Sequence, residues 1–237
     1  MSNVNEELVK KYGTLDRIIT DFYRIKDKGG NLITLDGIIN PLKIDNRQTC
    51  SPTDNQGNLP ACAGYSACTL VESLYWKMTG KIKQFNSDQC YAIAKTLDGC
   101  MKDEGTYLEY ALKAVLGLCE KDPDFWFLKD VGIGQFFNSG NDVVEMTKFL
   151  IHKFGIIQVG FNITTGWYNC NCENPVLEHT AQSIGGHAVN LVGYEPDYVY
   201  ILNQWGVNWG AKGYAMMSWK DYVKELMYGA YLYGITF

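Results

Sequence analysis

The chain has 237 residues, 46% of them hydrophobic, so it can bury one large core or two smaller ones. Its formal net charge of −5 is mild, and the absence of any lysine- or arginine-rich run argues against a nucleic-acid-binding surface. No apolar run approaches the roughly 18 residues that a membrane span needs. We therefore expect neither a nucleic-acid partner nor a membrane-spanning segment.

The N-terminal segment MSNVNEELVKKYG lacks the apolar stretch of a signal peptide. This predicts a soluble chain that standard secretion does not export, located in the cytoplasm or associated with a virus. Eight cysteines would suit disulfides in a secreted protein, but without a signal peptide we expect mostly reduced thiols.

Residues 1–40 form an N-terminal extension in which apolar side chains follow helical spacing and predict an amphipathic helix. These side chains are Leu15, Ile18, Ile19 and Phe22. Gly29-Gly30 is expected to end that helix. An extended strand is then predicted in PLKIDNR, followed by a polar loop up to residue 61.

Cys62 lies where a Gly- and Pro-bearing turn, DNQGNLPA, meets a predicted helix that ends near Thr79-Gly80. A helix N-terminus stabilises a thiolate, so we expect a low pKa for Cys62. Gln56 lies six residues earlier, where the loop can bring its side-chain amide beside the thiol. Together with the backbone N–H of Cys62, that amide can stabilise an oxyanion.

Two more helices are predicted next, in SDQCYAIAKTLDG with Ser87 as its N-cap and in TYLEYALKAVLG. Residues 119–140 are aromatic and loop-like and should form a crossing. A helix in DVVEMTKFLIHKFG and a strand in IIQVGFNI follow, and the C-terminal KELMYGAYLYGITF is predicted to return as a strand.

The polar insert at residues 163–184 contains Cys170, Cys172 and His179. A Cys-x-Cys pair with a nearby histidine can bind zinc, but no second well-spaced pair completes a tetrahedral site. We predict no metal and no cofactor. A mobile loop, or a disulfide if the chain is oxidised, is the favoured interpretation.

A hairpin is predicted from HAVNLVGY, a turn at residues 195–197, and YVYILNQW. His187 starts the first arm and Asn203 lies near the end of the second, so the two can lie side by side. An amide oxygen can accept the imidazole N–H and fix which ring nitrogen faces outward. With Cys62, this gives a nucleophile, a base and an orienting residue.

Three motifs in this order resemble the papain family of cysteine peptidases, and the chain is identified as a divergent member. The motifs are Gln56-Gly57 with Cys62, residues 187–189 with 192–194, and residues 203–214, NQWGVNWGAKGY. The last motif is similar to the family's Asn-Ser-Trp-Gly-x-x-Trp-Gly-x-x-Gly-Tyr. The resemblance covers roughly residue 44 to the C terminus.

The resemblance implies an α+β fold with two lobes in a domain at 41–237. The helical lobe, about 50–130, would carry the nucleophile helix. The β-barrel-like lobe, about 131–237, would carry the histidine–asparagine hairpin. Family enzymes often have an inhibitory pro-segment, so residues 1–40 are either a short pro-segment or, as we favour, a helix packed behind the domain.

The resemblance also implies a role for each matching residue. Cys62 would be the nucleophile, His187 the base and acid, and Asn203 the orienting residue. Gln56 would donate to the oxyanion, and Trp205 would shield the Asn203–His187 contact from water.

The residues that would flank the substrate are matched more loosely. The resemblance places Gly105 and Thr106 in a glycine-bearing wall, although an ordinary turn between helices is an equally good interpretation. Gly186 is expected to contact substrate beside the histidine.

The chain also departs from the family pattern near the proposed nucleophile. Pro60-Ala61 and Ala63 replace the usual neighbours of the nucleophile, and Gln204 replaces a serine. Leu59 stands where the family has a cysteine, so one usual disulfide is missing.

The implied activity is hydrolysis of peptide bonds by a monomer acting on a peptide or protein substrate. Two alternatives remain open. One is an acyl transferase or isopeptidase with the same triad, and the other is a non-catalytic binding module on the same fold.

Overall fold

The computed structural model describes residues 25–26, 32–33, 39–100, 102, 104–128, 131–138, 140 and 142–235. The predicted helix at residues 15–22 and its end at Gly29-Gly30 lie outside these residues. In the described chain, three helices pack against one face of an eight-stranded sheet, and two helices pack against the other. The fold class is therefore α+β, as predicted.

The five helices of the described residues are α1, Cys62–Thr79; α2, Ser87–Asp98; α3, Leu108–Cys119; α4, Asp142–Phe154; and α5, Trp219–Glu225. Helix α1 is buried from Ala63 through Tyr75 and ends at Gly80, which takes a left-handed conformation with φ of 69°. The helix predicted from Cys62 to Thr79-Gly80 is confirmed. In the part of the chain described, no helix combines the length and the apolar character that a bilayer span requires.

The N-cap of α2 differs from the prediction by one residue. Asn86 occupies the cap position, and its side-chain oxygen accepts the backbone N–H of Gln89 at 2.9 Å. Ser87 is the first helical residue, and its hydroxyl donates to Asp54 at 2.8 Å. Asparagine caps as well as serine does, so the serine hydroxyl is free to fasten α2 to the loop before Gln56.

The strands are β1, Ile25–Lys26; β2, Leu32–Ile33; β3, Ile44–Asp45; β4, Gly132–Phe137; β5, Ile157–Thr164; β6, Val176–Leu177; β7, Ser183–Tyr194; β8, Tyr198–Leu202; β9, Tyr214–Ser218; and β10, Leu226–Tyr233. Strands β1 and β2 pair with each other. The others form a sheet in the order β4-β10-β5-β7-β8-β9-β6, with β3 on β7. Among the strands that the structure describes, only β6 and β9 pair in parallel.

The prediction that residues 119–140 are loop-like is wrong in part. A 3₁₀ helix covers Pro123–Leu128, and β4 pairs antiparallel with β10, with Gly134 opposite Tyr231. A Cβ atom at Gly134 would overlap the ring of Tyr231, and one at Gly132 would overlap that of Tyr233. Gly132 and Gly134 therefore let strand β4 pass beneath two tyrosine rings.

Strand β7 separates two hydrophobic cores because successive side chains point to opposite faces of a strand. Ala188 and Val192 join the core under α1, α2 and α3. Val189 and Leu191 join the second core, which includes side chains of α4 and α5. One strand therefore places His187 and Ala188 on different sides of the sheet, with Ala188 toward helix α1.

Candidate active site

The loop before α1 is fastened to the segment that follows β8. The backbone N–H of Gln56 donates to the carbonyl of Gln204 at 2.9 Å, and that of Gly206 donates to Asp54 at 3.0 Å. Asn55 also forms a bridge with Trp205. The first and third sequence motifs, 130 or more residues apart in the chain, therefore lie together.

Cys62 is the first residue of α1 and is half-buried. The backbone amide of Ala188 lies close enough to the Cys62 thiol to lower its pKa. Because Ala188 follows His187 on β7, the start of helix α1 lies beside the strand that carries the histidine. The sequence-predicted Cys62 thus lies beside the residue that directly follows His187 on the strand.

The imidazole of His187 is buried, and its Nε2 lies 2.7 Å from Oδ1 of Asn203. The same Oδ1 accepts the backbone N–H of Gln204 at 2.9 Å, which fixes the orientation of the amide. Nε2 therefore carries the proton and donates it to Asn203. Nδ1 is left with a free lone pair, as a general base requires.

Burial shifts the pKa of both the Cys62 thiol and the His187 imidazole. It raises the pKa of Cys62, and the amides of Ala188, Ala63 and Cys62 itself lower that pKa by less. Burial thus opposes the stabilisation of the thiolate that the helix N-terminus provides. Burial also lowers the pKa of His187 to about 4, although the bond to Asn203 raises it in part. For each side chain taken alone, burial favours the neutral form.

Two aromatic rings contact the imidazole of His187, and a third stacks on one of them. The ring of Trp205 lies 4.7 Å from it between centroids, and Trp167 meets it edge-on at 5.7 Å. Tyr168 stacks on the Trp205 ring at 6.0 Å and is itself exposed. Trp205 thus lies against the histidine, as the sequence indicates.

Sequence reasoning missed Trp167 and Tyr168 because it treated residues 163–184 as a polar insert. Trp167 is fully buried, and its Nε1 donates to Glu225 at 2.8 Å. Trp209 stacks on it at 5.9 Å and donates to its carbonyl. Two adjacent aromatic residues just after the buried strand β5 were the sequence feature that could have indicated an aromatic contact to the site.

The side chain of Gln56 is largely buried. Its Nε2 donates to the carbonyl of Leu59 at 2.8 Å, which fixes the amide in the turn before Cys62. Its Oε1 has no hydrogen-bond partner among the described residues.

The candidate substrate-flanking residues lie on two sides of the candidate site. A Cβ atom at Gly105 would be 3.6 Å from the carbonyl oxygen of Pro60, two residues before Cys62. The hydroxyl of Thr106 is turned away to Asp98, at 2.6 Å. Gly186 is exposed beside His187, and a Cβ atom there would meet nothing within 4 Å.

A buried polar network under α1, which the sequence did not reveal, links the helix to the sheet. Gln158 donates to Ser66 at 2.6 Å, and Ser66 donates to the carbonyl of Cys62 at 2.7 Å. Asn190 donates to the carbonyl of Ser66, and Gln204 donates to Asn190, each at 3.0 Å. Gln204, a departure from the family pattern, therefore supports the helix that bears Cys62.

The candidate zinc residues do not converge. Cys170 is buried and Cys172 is exposed, while His179 pairs with Glu225 at 2.9 Å. No group of three potential metal ligands occurs within the described ranges. All eight cysteines lie in the described part of the chain and are free thiols.

Comparison with known proteins identifies relatives of this chain. It is 26% identical to papain from Carica papaya over 89% of its length, and 24% identical to cysteine proteinase 3 of Entamoeba histolytica over 75%. It spans 64% and 63% of those two proteins.

Solved structures show the same fold. Xylellain, a cysteine protease from Xylella fastidiosa, matches with a TM-score of 0.68 at 17% identity, over 92% of this chain and 93% of xylellain. The Carica candamarcensis protease CMS1MS2 matches with a TM-score of 0.61 at 18% identity, over 83% of this chain and 100% of that structure. The architecture is therefore papain-like.

The sequence model for "Papain family cysteine protease" matches residues 93–229, more than half of the chain. The matched range contains His187 and Asn203 and begins after Cys62. The chain belongs to the papain family of cysteine proteases.

Proposed function

We propose that this chain hydrolyses peptide bonds through a thioester acyl-enzyme, with Cys62 as nucleophile. His187 acts as base and then acid, and Asn203 orients the imidazole. The observation that carries the proposal is the 2.7 Å bond between His187 and Asn203, on a strand whose next residue, Ala188, places its amide near the Cys62 thiol. A thiol, a base and an orienting group brought together in this way activate a nucleophile.

The reaction begins with transfer of the thiol proton to Nδ1 of His187. Burial disfavours each charge alone, but thiolate and imidazolium attract each other, so the pair costs less to form than the sum of its parts. The hydrogen bond to Asn203 stabilises the imidazolium, consistent with its effect of raising the pKa of His187.

The thiolate then attacks the scissile carbonyl, and an electron pair moves onto the carbonyl oxygen. The backbone N–H of Cys62 and one Nε2–H of Gln56 donate to this oxyanion. Gln56 commits one N–H to Leu59, and an amide nitrogen has two, so the second is left for the substrate. One such donor contributes about 3 kcal/mol to the transition state.

His187 next gives its proton to the leaving amine as the C–N bond breaks, which leaves a thioester on Cys62. A water molecule deprotonated by His187 hydrolyses the thioester, releasing the acid and regenerating the thiol. Trp205 keeps water from the His187–Asn203 bond, and a dry hydrogen bond is stronger. Gly105, Thr106 and Gly186 flank the peptide or protein substrate.

Site-resolved labelling with a peptidyl epoxide tests the proposal. Cys62 is expected to form a stoichiometric adduct, while the exposed thiols Cys100 and Cys172 are expected to react far more slowly. A His187→Ala variant should lose labelling at Cys62, because the thiol then has no base.

Peptide cleavage provides the second arm of this test. The Cys62→Ala variant should lose cleavage, while the control variant Cys100→Ala should cleave at the wild-type rate. A Cys62→Ala protein that still cleaves peptides, or an epoxide that labels all exposed thiols equally, would refute the assignment.

A further inference from the structure

The carboxylate of Asp98, the last residue of α2, collects three hydrogen-bond donors. Its Oδ2 accepts the hydroxyl of Thr106 at 2.6 Å and the ammonium of Lys95 at 3.0 Å. Its Oδ1 accepts the backbone N–H of Cys100 at 2.7 Å. The Asp98 side chain is only 3% exposed, so these bonds are shielded from water.

Lys95 links Asp98 to the far end of the connection, because its ammonium also donates to the carbonyl of Gly105 at 2.9 Å. The two ends of the connection between α2 and α3 are therefore tied to the same pair of charged side chains. Gly99 and Gly105 have φ values of 66° and 90°, a conformation that glycine adopts without strain. We call Lys95, Asp98 and Thr106 the α2 clamp.

The α2 clamp fixes a segment that lies beside the candidate nucleophile. A Cβ atom added at Gly105 would lie 3.6 Å from the carbonyl oxygen of Pro60, so the segment passes close to the turn that leads into Cys62. No disulfide holds this segment, since all eight cysteines are free. Charge-assisted hydrogen bonds are stronger than bonds between neutral groups, so the clamp restrains this segment without a covalent link.

Burial on its own raises the pKa of Asp98, but the hydrogen bonds from Thr106, the Cys100 amide and Lys95 outweigh it and lower that pKa. The carboxylate is therefore charged at neutral pH, as the ion pair with Lys95 requires.

We infer that Asp98 is a positioning residue for the peptide substrate: through Lys95 and Thr106 it holds Gly105 at the approach to Cys62. A peptide backbone passing Gly105 meets main-chain polar groups with no side chain in the way. If the clamp opens, the segment around Gly105 must become ordered when substrate binds. The free-energy cost of that ordering weakens binding. This inference rests on the proposed peptidase function.

Steady-state kinetics on a peptide substrate test the inference with the Asp98→Ala variant. KM should rise about fivefold to tenfold, the loss expected for charge-assisted hydrogen bonds, while kcat stays within about twofold. Alkylation of Cys62 by iodoacetamide, a small reagent that needs no substrate wall, should keep its wild-type rate. Glu145→Gln, which breaks another i,i+3 ion pair on α4, should change neither constant.

Thr106 supplies a milder pair of variants in case Asp98→Ala does not fold. Thr106→Ser keeps the hydroxyl that donates to Asp98 and should therefore raise KM less than Thr106→Val does. Thr106→Val is nearly isosteric but lacks the donor to Asp98, so it should raise KM.

A folded Asp98→Ala protein with unchanged KM, or a Thr106→Val protein that matches Thr106→Ser, would overturn this inference alone. A loss of kcat at constant KM would overturn it as well. A wild-type chain that neither cleaves peptide nor is labelled at Cys62 would remove the proposed function and this inference with it.

Discussion

At the scale of single residues, the burial of His187 affects both its hydrogen bond to Asn203 and its pKa. The same burial that protects its bond to Asn203 lowers its pKa to about 4. An unfolded histidine titrates near 6.5. The folded chain therefore binds fewer protons than the unfolded chain in the range between these values.

We expect this histidine to make the fold acid-sensitive. Its contribution to the free energy of unfolding is fully present above about pH 6.5 and is lost as the pH falls toward 4, by about 3 kcal/mol in total. His187→Gln removes the titration, so its unfolding free energy should fall less between pH 7 and 4.5 than that of the wild type. Urea denaturation at a series of pH values measures the difference.

His152→Gln on the exposed end of α4 is the matched control and should keep the wild-type slope. Other groups, such as buried Glu72, whose pKa burial raises, are common to all three proteins and cancel in the comparison. Equal slopes for wild type and His187→Gln would contradict the prediction. A reversed slope would mean that the ion pair with Cys62 already exists at rest.

At the scale of elements, the segment after β5 supports the hairpin of His187 and Asn203 through Trp167. This side chain has no exposed surface and contacts the rings of His187, Trp205 and Trp209. Its Nε1–H satisfies the buried carboxylate of Glu225. The short 3₁₀ helix that carries it, Thr165–Asn169, is thus a structural support for the site.

Replacing Trp167 should be among the costliest changes in the chain. Trp167→Ala is expected to lower the free energy of unfolding by about 3–5 kcal/mol, because it leaves a large cavity. Trp167→Phe keeps most of the ring but leaves Glu225 without one donor, and should cost about 1–3 kcal/mol. Urea denaturation followed by far-UV circular dichroism measures both.

Trp126, which is 61% exposed in the 3₁₀ helix Pro123–Leu128, provides the control. Trp126→Ala should change stability by less than about 0.5 kcal/mol, as surface substitutions usually do. If Trp167→Ala were as stable as Trp126→Ala, the segment would be an ordinary surface loop, as the polar sequence around it suggests.

The same elements show how far local sequence could lead. Helix α1 was predictable, because both its start at Cys62 and its left-handed end at Gly80 are local signals. Strand β4 was not, because its partner β10 begins about 90 residues later and its glycines resemble those of a loop. The buried network of Gln158 and Asn190 was not predictable either, because its partners on α1 are distant in sequence. A polar residue in a strand does not indicate which helix packs over it.

At the scale of the whole molecule, the central sheet belongs to both cores. Ala188, Val192 and Leu202 face the helices α1, α2 and α3, while Val189 and Leu191 face the second core. Gln158 also bonds Ser66 of α1 from within the sheet. Neither core can lose its packing without exposing one face of the same strands, so we expect a single cooperative unfolding transition.

The chain's own buried cysteines can report each core separately. Cys90 and Cys119 lie in the core under the helices, and Cys170 lies in the second core. Pulsed thiol labelling in urea, resolved by peptide mass, should give one common midpoint for all three. The exposed thiols Cys100 and Cys172 should label at every urea concentration and so calibrate the reagent.

Two matched substitutions make this test sharper. Leu112→Ala in α3 and Leu150→Ala in α4 each remove a fully buried leucine from one core and should cost about 2–5 kcal/mol. If β7 couples the cores, each variant lowers the labelling midpoints of Cys90, Cys119 and Cys170 by the same amount. A Leu112→Ala protein that exposes Cys90 and Cys119 while Cys170 stays protected would show two independent lobes. The Cys62–Ala188 contact would then depend on how those lobes dock, and not on one shared core.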